Sequence, residues 1–231
     1  MPRIVLHQWE MSPFCNMVRR CLRHKRLTFE VRNYNGLLAL RASRLSPAGT
    51  LPVLDHGEQR IGDSHQIAKF LDAQYPQQPL FPSEPQAAAA AWLWEDWAAQ
   101  SLYFYEIRFR MLDPAARKRA LDLICEGRPS FERAILGWHF RRHYPVKLRE
   151  QGIASYPDAE LETRFFRHLD GLEVLLDGRR SLTGFDITAA DYAVAAQLDE
   201  MIRTSRYAQQ IRAYPQVMAW MRRSGGLHSD G

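Results

Sequence analysis

Ser12-Pro13-Phe14-Cys15 follows the short apolar run Ile4-Val5-Leu6 and opens a pattern in which Phe14, Met17, Val18, Cys21 and Leu22 share one helical face. The switch from strand to helix at this quartet decides the fold. Ser12 stands at the N-cap, and Pro13 takes the first helical position, where a missing N–H costs nothing. His24, Lys25 and Arg26 fall at the far end, where positive charge suits the helix dipole.

Working outward, residues 28–31 read as a second strand and 37–44 as a short helix, ended by Ser46-Pro47-Ala48-Gly49. Residues 51–55 and 59–61 form an expected hairpin around His56-Gly57, and 64–75 a third helix. The order is β-α-β-α-β-β-α. Pro76, Pro79, Pro82 and Pro85 then recur at intervals of three, which neither a helix nor a central strand tolerates. They predict an extended linker. Beyond it, helices are expected at 86–111, 115–126, 129–151, 158–176, 188–201 and 215–223. The fold class is therefore a thioredoxin-like α/β domain (1–77), a proline-rich linker (78–86) and an all-helical domain (87–231). In Gly184-Phe185-Asp186-Ile187-Thr188-Ala189-Ala190-Asp191, Thr188 caps a helix and Asp191 answers it three residues on.

Among 231 residues, 46% are hydrophobic and 25% charged, as in ordinary globular proteins with a sizeable core. The net charge of +5 is mildly basic with both signs mixed, and no nucleic-acid motif accompanies it. Cys15, Cys21 and Cys125 cannot build a disulfide framework, which fits a reducing compartment. The first residues are too short an apolar stretch for a signal peptide, and no run is long enough to span a membrane. A cytoplasmic chain with no membrane partner is expected.

A thiolate at the Ser12 helix start is stabilised by unpaired N–H groups and the helix dipole. The Ser12 hydroxyl can accept from the helix and still donate to a ligand sulfur, or it is only a cap. Cys15, in the first turn, is either a reactive thiol or a small buried side chain. Pro52 marks a restricted turn, with a cis bond as one option. Such a bend would leave the Val53 backbone at an edge where a peptide-like ligand pairs as an added strand. Asp63-Ser64 opens the third helix, whose N–H groups suit a carboxylate, while Asp63 suits an amino group. His139 and His143 have metal-compatible spacing, but Phe140-Arg141-Arg142 between them supplies no acid, so no metal is expected. Trp92, Trp94, Trp97, Tyr103, Phe104 and Tyr105 are core residues or, in part, the lining of an apolar substrate pocket. Tyr103 and Phe104, with Arg108 as the polar contact, are the candidates for that pocket.

Taken together, the chain resembles the cytosolic glutathione S-transferase superfamily over nearly its whole length. Ser12-Pro13-Phe14-Cys15 looks like the helix start of Ser-type transferases, and like a glutaredoxin quartet whose first Cys is replaced. Leu51-Pro52-Val53-Leu54 looks like the cis-proline turn, Asp63-Ser64 like the γ-glutamyl-binding helix, and Gly184 through Asp191 like the family's capping module. The resemblance implies glutathione as co-substrate and no metal. Ser12 would activate the thiol, with Cys15 as the other catalytic candidate. Phe14, Leu51, Pro52 and Val53 would hold the cysteinyl part, and Asp63 and Ser64 the γ-glutamyl group. It also implies attack of the thiolate on a small electrophile, and a homodimer. Thr50 stands where many members carry a lysine for the glycine carboxylate. That leaves Arg41 or Arg44 to supply the charge, or affinity to be low. Two alternatives stay open: a thiol reductase using Cys15, and a non-catalytic binding or scaffold protein.

Overall fold

Four short strands form one mixed sheet in the order β2-β1-β3-β4 in the computed structural model, which describes residues 2–184 and 186–226. They are β1 (Ile4–Gln8), β2 (Glu30–Asn33), β3 (Val53–His56) and β4 (Gln59–Gly62). All of β1 is buried, because it is the interior strand that pairs parallel to β2 and antiparallel to β3. The parallel pair needs a crossover, and α1 (Pro13–His24) supplies it. The antiparallel pair aligns Leu6 with Leu54, both fully buried. Helix α2 (Ser64–Gln74) follows β4 and completes the thioredoxin-like layer.

The helix expected at 37–44 winds instead as a 3-10 helix, Gly36–Arg44. Its start is tied from outside, since the Leu37 N–H donates to Glu132 Oε2 at 2.8 Å. The long helix expected at 86–111 is present but not uniform. It runs as α3 (Pro85–Trp97), a π segment (Ala98–Leu102), α4 (Tyr103–Ile107) and a second π segment (Arg108–Leu112). Each π segment shifts the facing of everything after it. Then come α5 (Pro114–Ile124), α6 (Ser130–Gln151), α7 (Asp158–Leu175), α8 (Ala189–Thr204), α9 (Ala208–Arg212) and α10 (Pro215–Arg223). The short α9 had no periodic signal long enough to predict it.

Helix α8, buried along nearly its whole length, is the post around which the second half packs, and α1 lies against it. Arg20 of α1 and Asp199 of α8 form a buried ion pair. Arg20 also donates to the Asn16 Oδ1 (3.0 Å) and to the Ser224 carbonyl (3.0 Å). The Tyr192 hydroxyl lies 2.8 Å from His24 Nδ1. These contacts fix the direction in which α1 points its first turn.

The start of α8 carries the expected capping box. Asp191 Oδ2 accepts from the Thr188 N–H (2.8 Å) and hydroxyl (2.9 Å), and Oδ1 accepts from the Leu182 N–H (2.8 Å) and the Trp220 indole (2.7 Å). Phe185 of that module, Met1 of the expected first domain and residues 227–231 of the second lie outside the described residues.

Candidate functional site

The first turn of α1 opens onto a cleft of about 450 Å³ between the sheet domain and the helices. Ser12 is its N-cap, in extended conformation (φ −82°, ψ 125°). Its hydroxyl oxygen accepts weakly from the Cys15 N–H (3.4 Å), and its carbonyl accepts from the Asn16 N–H (2.9 Å). Pro13 has no N–H, and the Phe14 N–H has no acceptor among the described residues. The seat at this helix end thus consists of one free backbone donor and one hydroxyl proton, backed by the helix dipole.

Cys15 is different. Its side chain is 0% exposed, and its sulfur turns inward to accept from the Trp9 N–H at 3.4 Å. Burial pushes its thiol up to about 11, against the opposing pull of the Trp9 and Ser12 contacts. A thiol so placed is neither accessible nor ionised near neutral pH. Cys15 is thus not placed for the catalytic role expected of it: one face of the first turn looks at the cleft, and Cys15 is on the other.

The Leu51–Pro52 bond is cis. Leu51 and Pro52 line the cleft, and among the described residues neither the Leu51 N–H nor its C=O has a backbone or side-chain partner. Val53 does not occupy the edge expected of it. It is fully buried, opposite His7 on one side and Gly62 on the other, because β3 is an interior strand. The peptide edge available to a ligand belongs to Leu51.

Asp63 and Ser64 also line the cleft, at the start of α2. Asp63 holds a left-handed backbone (φ 70°, ψ 132°) while its carboxylate accepts from the His65 and Gln66 N–H groups, both at 3.0 Å. A non-glycine residue held there stores strain, a recurring mark of ligand sites. Phe14, Asp63 and Ser64 are shared with an adjoining pocket of about 230 Å³ that reaches Glu95 and Gln197. There His65 Nδ1 sits 2.5 Å from Glu95 Oε2, and burial raises the Glu95 carboxyl despite that neighbour.

Tyr103 lines the cleft, packed edge-on to Phe14 at 4.9 Å. Phe104 and Arg108 do not line it. Residues one and five positions after Tyr103 point to other faces of a helix with about 100° per residue. Phe104 packs on Tyr103 from the side (5.3 Å), while Arg108 pairs with Asp158 in a separate hollow beside Arg206 and Tyr207. Arg41 and Arg44 are exposed and outside the cleft lining. Beyond the expected residues, the cleft is lined by Trp9, Ala39, Ala42, Gly49, Thr50 and Lys147. Trp9 could have been found from its place between β1 and the Ser12 cap; Lys147 carries no local signal. Among the described residues, no group of three or more His, Cys, Asp or Glu could hold a metal ion, and no helix is long and apolar enough to cross a membrane.

Two family models cover most of this framework: "Glutathione S-transferase, N-terminal domain" over residues 6–79, and "Glutathione S-transferase, C-terminal domain" over residues 147–223. The chain belongs to the glutathione S-transferase superfamily. Among curated proteins it is similar to glutathione S-transferase Z2 of Arabidopsis thaliana, 33% identical over 86 residues, covering 36% of this chain and 39% of that one. It is also similar to glutathione S-transferase 1 of Dianthus caryophyllus, 32% identical over 91 residues, covering 38% and 41%. The match thus spans about two fifths of those transferases' own length. Among solved structures, the beta-etherase LigF from Sphingobium sp. superposes with a TM-score of 0.67 at 18% identity, covering 95% of this chain and 93% of that one. FzlA from C. crescentus superposes with a TM-score of 0.64 at 21% identity, covering 95% and 86%. At those identities the two structures support the transferase fold alone.

Proposed function

We propose that this transferase-family chain binds glutathione in the Ser12 cleft and conjugates its thiolate to a small electrophilic, largely apolar substrate. The observation that carries the reading is one continuous cleft with three kinds of donor and acceptor. It offers the Ser12 hydroxyl with the Phe14 N–H for sulfur, the unpaired Leu51 backbone for a peptide, and the Asp63-Ser64 helix start for a γ-glutamyl end. In the ground state Ser12 donates to the sulfur and the α1 dipole favours its ionised form. The thiolate then attacks the electrophilic carbon, its lone pair forms the new C–S bond, and the leaving group departs with the bonding pair. Tyr103 and Phe14 form the apolar wall on which the electrophile rests.

The test is glutathione conjugation of a reactive nitroaryl chloride. Ser12→Ala should lower kcat/KM roughly 100-fold, as losing one preorganised donor to a reacting anion does. Unchanged turnover in Ser12→Ala would remove Ser12 from the mechanism. The burial of Cys15 argues against the thiol-reductase alternative. The scaffold alternative is decided by calorimetry: no heat of binding with millimolar glutathione would favour it. The same reading carries the division at 1–77, 78–86 and 87–231, a cytoplasmic homodimer and a detoxifying role. Light scattering of the purified chain tests the dimer.

A further inference from the structure

A single cation enters the cleft among the described residues, and it comes from the far half of the chain. Lys147 stands near the end of α6, and most of that helix lies in the interval 80–146 between the two family-model matches. Its ammonium is 3.3 Å from the Tyr103 hydroxyl and 5.0 Å from the centre of that ring. The same ring meets Phe14, so the charge is held over the apolar wall beside the sulfur seat.

An ammonium has three protons to donate, and a phenol oxygen at 3.3 Å takes one of them poorly. Among the described residues no carboxylate comes within ion-pair distance of Lys147, so none of them neutralises it. Burial alone lowers its pKa, with no acid beside it to oppose the shift. Thr50, Gly49, Ala39 and Ala42, which also line the cleft, carry no charge. A half-desolvated cation with no carboxylate in ion-pair reach is a poor structural element and a good receptor.

We propose that Lys147 is the cleft's receptor for a carboxylate. The carboxylate is either the glycine end of the bound tripeptide or an acid group on the second substrate. This rests on the reading of the cleft given under Proposed function and adds the residue that selects an acidic ligand. The charge that many family members carry at the place of Thr50 is then supplied from α6, with Tyr103 holding the ammonium in place.

The experiment compares wild type, Lys147→Met and Lys147→Arg in two arms. In the first, calorimetry measures glutathione and its glycine ethyl ester. In the second, at saturating glutathione, kcat/KM is measured for a chloronitrobenzoate and for its neutral amide. Lys147→Met should weaken the carboxylate partner of one arm by about tenfold or more, leave that arm's neutral partner unchanged, and be largely rescued by Lys147→Arg. Loss in the first arm assigns the glycine end, and loss in the second assigns the electrophile. No selective loss in either arm, or equal loss for charged and neutral partners, overturns the proposal. A wild-type chain that binds no glutathione overturns the underlying reading as well, and is seen before any variant is compared.

Discussion

Glu106→Gln should make this protein more stable, and increasingly so as the pH rises. Glu106 is 0% exposed in α4, and burial raises its carboxyl to about 8 although Arg110 attracts it. Arg110 Nε comes to 2.8 Å of Glu106 Oε1, yet neither atom finds hydrogen-bond geometry, and Arg110 donates instead to the Met11 carbonyl at 2.9 Å. A close but misaligned pair does not offset the loss of water. The folded pKa lies above the unfolded value of 4.5, so folding takes up a proton between those two pH values. Stability therefore falls by about 1.4 kcal/mol per pH unit from about pH 4.5 to about pH 8 and levels off above. At pH 7 the penalty is about 3 kcal/mol, from roughly 2.5 units at that slope. Glutamine has the same shape and no charge to desolvate. Its advantage should be near zero at pH 4.5 and about 3 kcal/mol at pH 7, or about 6–12 °C in Tm for a chain of this length. Urea titrations at several pH values, followed by the fluorescence of the six tryptophans, measure it directly. Glu200, also raised by burial, is present in both proteins and cancels to first order. Parallel stability profiles for the two proteins would refute the assignment of an uncharged, costly Glu106.

Cys15→Ser should leave conjugation within about twofold while lowering the melting midpoint, because a hydroxyl replaces a buried small hydrophobe; rapid labelling of Cys15 by a thiol reagent in the native chain would contradict its placement. Asp199→Ala strands the buried Arg20 charge and should cost about 3–5 kcal/mol, read as a lower urea midpoint. Asp191→Ala removes the acceptor of four hydrogen bonds, two of them from the Leu182 N–H and the Trp220 indole. It should cost about 3 kcal/mol or more, and a thermal melt within about 1 °C of wild type would contradict that network.

The succession of elements and the helix starts were legible because each has a local cause. Ser12-Pro13 announces a cap, Thr188 with Asp191 a capping box, and the four spaced prolines a break. The errors share a different origin. Val53 was misjudged because a strand's neighbours are not written in its own residues, and only its pairing with both His7 and Gly62 shows it to be interior. Phe104 and Arg108 were grouped with Tyr103 by nearness in sequence, whereas a helix turns successive side chains to different faces, and the second π segment begins at Arg108. Cys15 shares a turn with Ser12 but not its direction. Lys147 was invisible because it lies far along the chain from Ser12, and only the packing of α6 brings it to the cleft.

The buried link between Arg20 and Asp199 has a consequence for anyone who would dissect the molecule. A fragment ending after the proline-rich stretch would keep Ser12, Leu51 and Asp63, yet lay bare to water the face of α1 that packs on α8, with the Arg20 guanidinium deprived of its acid. The thioredoxin-like half is thus not a portable module, and grafting it onto another helical partner would require an acid transplanted at the position matching residue 199.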